Sequence, residues 1–165
     1  MGNIRRSRGY SFEHTLVQRL NNGVWNARRL GGSSTGLPDI IAVNNIEAIL
    51  LSIEAKSGTG DTLYVPLDQI KRSLLIRNMF SFYTTRHFIL AFKFMRKKRY
   101  KRKGQVVYEH RKLIEYYKVA DIFDNMDDIA VVKCTYDGKI FAIQRGKSRM
   151  LNLPDFVMPF YNNTA

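Results

Sequence analysis

Residues 87–94, His-Phe-Ile-Leu-Ala-Phe-Lys-Phe, are apolar almost without a break and rich in strand-forming side chains. A strand of this kind has no polar face to give to water, so it belongs at the centre of a sheet covered on both sides. The chain before it supplies the covering layers. Phe12, Leu16 and Leu20 recur every four residues, with Val17 beside them, and predict a helix stopped by Asn21-Asn22-Gly23. Strands are expected at 24–30, at 39–43 and from about 46 to 56, with Asn44-Asn45 as a tight turn between the last two. Residues 63–65 read as extended. Leu67, Ile70, Leu74 and Leu75 then predict a helix over 66–83. The order α-β-β-β-α-β indicates an α/β fold with helices around a central mixed sheet.

Beyond residue 94 the pattern weakens. The run 96–103 holds seven basic residues in eight and reads as a solvated connection, with a strand at 106–110 after it. Residues 121–128 read as an acidic loop or short helix. Strands at 130–136 and 139–144 flank Asp137-Gly138, a type I′ hairpin signal. The expected organisation is a basic flexible arm at 1–8, a single domain at 9–145 and a tail at 146–165.

Charge narrows the function. The 165 residues carry 27 Lys+Arg against 14 Asp+Glu, a net charge of +13. Residues 1–112 hold 21 basic and 7 acidic side chains, +14, and the remainder hold 6 and 7, −1. A polyanionic partner therefore belongs to the first two thirds, and nucleic acid is the usual one. No basic amphipathic helix with an apolar face appears, which argues against a membrane partner. Neither a secretory signal nor a membrane span is present, so an intracellular, cytoplasmic protein is expected. The single cysteine, Cys134, excludes an internal disulfide and a cysteine-based metal site. His14, His87 and His110 do not cluster in sequence, which disfavours zinc.

Three carboxylates stand in apolar surroundings. Glu13 lies on or beside the buried stripe of the first helix, Asp39 opens an apolar strand after Pro38, and Glu54 ends the run Ala48-Ile49-Leu50-Leu51-Ser52-Ile53. Unpaired, each would be costly to bury, and a divalent cation is one economical partner. Glu54 and Lys56, two apart on a strand, project from the same face. The pattern P-D, about fifteen residues, E-x-K is that of the metal-dependent nuclease core of restriction-type enzymes. In such a site Asp39 and Glu54 hold Mg²⁺, and Lys56 orients the attacking water and offsets charge in the transition state.

The ordered segments GYSFEHTLVQRL (9–20), RRLGGSS (28–34), LPDIIAV (37–43), LLSIEAKS (50–57), LYVPLDQI (63–70) and LAFKF (90–94) resemble the archaeal Holliday junction resolvases, cellular or viral. The resemblance spans about residues 8–95. It implies a restriction-endonuclease-like core, with a central mixed β-sheet flanked by helices. It implies metal ligation by Glu13, Asp39 and Glu54, catalysis by these three with Lys56 and the loop serine Ser33, and DNA contacts by Arg29 and Gln69. It further implies a homodimer that resolves four-way DNA junctions in recombination and repair by paired symmetric nicks, using Mg²⁺ with Mn²⁺ as substitute. Two departures stand out: Ser33-Ser34 replaces the family's usual Ser-Gly, and the segments 96–103 and 121–128 are longer or more charged than in the family.

Phosphate contacts are expected from Arg5, Arg6 and Arg8, from Arg28 and Arg29, and from Arg96, Lys97, Lys98, Arg99, Lys101, Arg102 and Lys103. Lys71, Arg72 and Arg77 read as the exposed face of the second helix. Met79, Phe80, Phe82 and Tyr83 read first as core and second as a dimer contact, and Trp25 as a core or interface anchor. Two rival readings share the sequence: a restriction-like nuclease acting on duplex or other branched DNA, and a junction-binding protein without activity.

Overall fold

The computed structural model describes residues 4–31 and 35–161, with side chains from Gly9 onward. The elements follow the order α1 (Ile4–Leu20), β1 (Trp25–Arg29), β2 (Ile40–Asn44), β3 (Ile49–Gly58), β4 (Thr62–Pro66), α2 (Leu67–Met79), β5 (Thr85–Phe94), β6 (Lys97–Arg102), β7 (Gln105–His110), β8 (Ile114–Val119), β9 (Val131–Thr135), β10 (Ile140–Gln144) and β11 (Lys147–Leu151), with 3-10 turns at Asp121–Asn125 and Pro159–Tyr161.

The central sheet has the order β1-β2-β3-β5-β8. Its β3–β5 pair is parallel and the other pairs are antiparallel, so it is the mixed sheet expected from the sequence. The expected central strand is β5. Phe88, Leu90, Phe92 and Phe94 pack on one face, with Ile70 and Leu74 of α2 and Val132 and Ile140 of β9 and β10. Ile89 and Ala91 pack on the other face, against Phe12, Leu16 and Leu20 of α1. Side chains alternate across a strand, so one apolar run feeds two cores.

Several boundaries differ from the sequence reading. Helix α1 begins at Ile4 and takes in part of the segment read as an arm. Strand β3 begins at Ile49, because Asn44 Oδ1 accepts the Ile46 and Glu47 amides (3.1 and 3.0 Å) and curls residues 45–48 into a turn. The run 96–103, read as a connection, is mostly strand β6, paired with β7 in a separate two-stranded ribbon. The segment after 145 joins the domain: β11 pairs with β10, and Met158 is fully buried in the core under α1.

Turn chemistry also moves. The Asp137-Gly138 hairpin exists, but only Gly138 has positive φ (85°), and its amide donates to Thr135 O (2.9 Å). This is a three-residue connection with a left-handed glycine rather than type I′. Two-residue turns with both residues left-handed occur at Arg145-Gly146 and at Lys103-Gly104.

Beyond the central sheet, β11-β10-β9-β4 form a second, four-stranded antiparallel sheet. Helix α2 bridges β4 and β5 and packs between the two sheets.

Candidate active site

Asp39 is the last residue before β2, and β2 runs antiparallel to β3 with Ile40 opposite Ile53. Asp39 therefore reaches the level of Glu54 on the neighbouring strand. Its Oδ2 accepts the buried Ala55 amide (2.9 Å), which fixes the carboxylate across the strand gap. On β3, Leu51, Ile53 and Ala55 turn towards α1, so Glu54 and Lys56 face α2.

What meets them there is Arg72. Its Nε lies 2.9 Å from Glu54 Oε1 and its Nη2 3.2 Å from Oε2, a bidentate fork. The same Nη2 is 3.6 Å from Asp39 Oδ1. Ser73 Oγ adds a hydrogen bond to Glu54 Oε1 (3.0 Å). Glu54 is wholly buried, and Arg72 and Asp39 nearly so. Burial drives the Glu54 pKa up to about 8, opposed by the Arg72 hydrogen bond and assisted by the Asp39 charge. Burial works against the Arg72 charge too, but the Glu54 and Asp39 carboxylates outweigh it and hold its pKa up.

Glu13 arrives from α1, on the other face of the sheet. Its Oε2 accepts from Arg29 Nε at 2.8 Å. Burial and the Asp39 charge raise its pKa against the pull of Arg29 and Lys56. Arg29 also lies over the Tyr10 ring (4.4 Å), and Tyr10 stacks on His14 (5.7 Å). Lys56 makes no hydrogen bond or ion pair among the described residues.

Asp39, Glu54 and Lys56 are thus gathered at one strand end, and Glu13 stands close enough for their charges to act on it. Ser33 lies outside the described residues, as do the side chains of Arg5, Arg6 and Arg8. Arg28 is exposed, with Nη1 on Ala27 O (2.7 Å). Gln69 lies one turn before Arg72 and Ser73 on the same face of α2, and its Oε1 is buried without a partner. The three histidines are apart: His14 on Tyr10, His87 on Asp121 and His110 on the ribbon.

Sequence reasoning missed Arg72. The sequence pattern places it with Lys71 and Arg77 on the solvent-facing side of the helix, yet it is 8% exposed, and Arg77 is paired with Asp121 and Asp124. The reason is that α2 is covered on two sides, by the central sheet and by the second sheet, so its buried face is wider than its apolar stripe. The one available signal was the pair Arg72-Ser73, three and four residues after Gln69, a polar cluster wedged between Ile70 and Leu74. The reading of Met79, Phe80 and Phe82 as core is also corrected. They are 64%, 38% and 96% exposed, because α2 ends at Met79 before the chain can turn them inward.

Among the described residues no three His, Cys, Asp or Glu side chains converge as a metal cluster. Two carboxylates do converge on one positive group, and the unpartnered Gln69 oxygen lies on the same helix face as that group. The carboxylate oxygens of Asp39 and Glu54 are hard donors of the kind that suit a divalent cation. No described helix is long and apolar enough to cross a membrane.

The family model described as archaeal Holliday junction resolvase (Hjc) matches residues 4–125. No curated protein matches. A similar solved structure is that of Hjc from Archaeoglobus fulgidus, described as a Holliday junction resolvase from an archaeal hyperthermophile. It is 24% identical, with 60% of this chain and 85% of that chain covered and a TM-score of 0.43. With the family model matched over well more than half its length, the chain belongs to the archaeal Holliday junction resolvase family and is an enzyme of the nuclease class.

Proposed function

We propose that this protein resolves four-way DNA junctions by hydrolysing phosphodiesters in paired, symmetric nicks, with Mg²⁺ as cofactor and Mn²⁺ as substitute. The observation that carries the reading is the convergence of Asp39 and Glu54 across β2 and β3, with Lys56 on the Glu54 face. Asp39 and Glu54 would hold the cation, with Glu13 beside them. When bound, Mg²⁺ supplies Lewis-acid polarisation of the phosphate and lowers the pKa of water. Lys56, whose side chain makes no hydrogen bond or ion pair among the described residues, orients the attacking water and offsets the charge that gathers on the phosphate oxygens. Arg72 and Ser73 hold the Glu54 carboxylate in place, and Arg29 does the same for Glu13. Ser33 belongs to the loop that places the strand to be cut, and Arg28, Arg29 and Gln69 to its contact surface. Arg5, Arg6 and Arg8, in the first turns of α1, add phosphate contacts.

Paired nicks need two sites at a fixed separation, and a two-fold homodimer supplies them. Leu75, Met79, Phe80 and Phe82 form an exposed apolar strip along the end of α2, which suits a self-complementary contact. An intracellular enzyme acting on DNA is the matching location.

The test compares immobile four-way junctions with linear duplex of the same sequence, in Mg²⁺, for wild type and Glu54→Gln. Symmetric nicks in the junction alone, abolished by the substitution, support the proposal. Equal cutting of the duplex replaces it with a broader nuclease. Tight junction binding without cutting in Mg²⁺ or Mn²⁺ leaves a binding protein.

A further inference from the structure

The most basic stretch of the chain does not help to build the fold. None of residues 97–110 belongs to either hydrophobic core. They form the β6–β7 ribbon, closed by Lys103-Gly104 with Arg102 opposite Gln105. A two-stranded ribbon is marginally stable on its own.

Its attachment is specific. The Met95 amide donates to Gly58 O (2.9 Å) and the Arg99 amide to Thr59 O (3.0 Å). Asp61 pairs with Lys98 (2.7 Å) and Arg111 (3.3 Å), and Arg111 Nε donates to Met95 O (2.8 Å). Every one of these anchors lies at the end of β3, in the loop that follows it, or at the ribbon's own base. Because β3 and β5 run parallel, with Lys56 opposite Phe92 and Gly58 opposite Phe94, the ribbon leaves the sheet from the end that carries Glu54 and Lys56.

The register splits the cations into two sets. On one face Lys98 stands opposite Glu109, and Tyr100 opposite Val107, both half-buried. This is the anchored face. On the other, Lys97, Arg99 and Lys101 stand opposite His110, Tyr108 and Val106, all exposed and with no acid across the pair. Residues two apart on a strand are roughly 6.6 Å apart, so the row of three cations spans about 13 Å. At ~3.4 Å of rise per nucleotide that is the length of roughly four phosphates of one DNA strand.

We infer that the Lys97–Arg99–Lys101 face of the β6–β7 ribbon lies on the phosphate backbone of the duplex arm beside the strand being cut. The inference rests on the junction-cleaving reading above and adds the partner surface: a duplex arm, held by charge without reading its sequence. Lys98 is excluded from the contact, because Asp61 and the ribbon base hold it.

The experiment measures junction affinity against salt for the triple variant K97Q/R99Q/K101Q and for a control of equal charge change on the second sheet, K139Q/K147Q/R149Q. The ribbon triple is expected to weaken binding at least tenfold at 150 mM salt and to reduce the log–log salt slope by about 2 to 3, near 0.9 per lost phosphate. Its cleavage rate on saturating junction should fall less than threefold, and its melting temperature should not move. The control should change affinity less than threefold. Wild-type-like binding by the ribbon triple, or equal losses in both triples, would overturn the inference. As a second measurement, a photo-crosslinker on R99C, specific because the native Cys134 is buried, should mark the arm flanking the cut strand. Marking of the partner subunit, or of no DNA, would also overturn it. If the wild type cuts no junction while the ribbon triple still loses affinity and slope, the resolvase reading falls and the ribbon contact stands.

Discussion

Arg72 and Glu54 form a buried, two-pronged ion pair, 2.9 and 3.2 Å across, between the second helix and the middle strand of the sheet. At pH 9, above the raised Glu54 pKa, both groups are charged, and removing one partner strands the other charge away from water. Arg72→Met is therefore expected to cost about 3–5 kcal/mol. The double variant R72M/E54Q should recover most of that loss, because no unpaired charge is left. Urea unfolding of the two single variants and the double, read as a cycle, gives the coupling. Equal losses in Arg72→Met and the double variant would show that packing rather than charge is at stake.

The raised pKa of Glu54 has a defined sign. In the unfolded chain the carboxyl loses its proton near 4.5, whereas the folded, metal-free protein keeps it until about 8. Between these values the folded state binds more protons than the unfolded state, so this group's contribution to stability falls as pH rises from about 4.5 to 8. Glu54→Gln should flatten that decline in urea titrations at pH 5, 6.5 and 8. Stabilisation by added Mn²⁺ should grow over the same interval, because the cation binds the ionised form.

The exposed ring of Phe82 makes a separable prediction. It contributes nothing to the core of one chain. Phe82→Ser should leave the melting temperature of the monomer unchanged and shift sedimentation towards the monomeric species. A dimer of undiminished strength would place the two-fold contact elsewhere.

Gly138 tests the second sheet. Its φ is +85°, and an added Cβ would meet Tyr116 Cε1 at 2.7 Å. The Tyr116 ring cannot swing aside freely, since its hydroxyl donates to Tyr136 O (2.8 Å). Gly138→Ala should cost about 1–3 kcal/mol in thermal or urea unfolding, with junction cleavage per folded molecule retained.

The sequence made some of this legible and hid the rest for physical reasons. Strand β5 could be read because an unbroken apolar run has one stable location. Asp39, Glu54 and Lys56 could be read because charge interrupts such runs only at their ends. Arg72 could not, since helical periodicity describes a helix with one covered side and α2 has two. Strand β7 could be read, but β6 was hidden by its composition: Lys and Arg carry little strand preference, and pairing there depends on the Lys103-Gly104 turn. The same limit explains the misplaced type I′ turn. Backbone register, rather than the favourable Asp-Gly pair, decided that Arg145-Gly146 and Lys103-Gly104 would adopt it.

The parallel β3–β5 pairing carries a consequence for how the enzyme is made. Its two strands are joined through β4 and α2, and Arg72, carried on that excursion, meets Glu54 where α2 folds back over β3. Such non-local pairings form late and slowly, after the entropy of a long loop has been overcome. The emerging or half-folded chain therefore has basic segments that attract DNA but no assembled acidic site. Asp39, Glu54 and Arg72 are contributed by three separate stretches of chain, so the cluster exists only where β2, β3 and α2 are packed together.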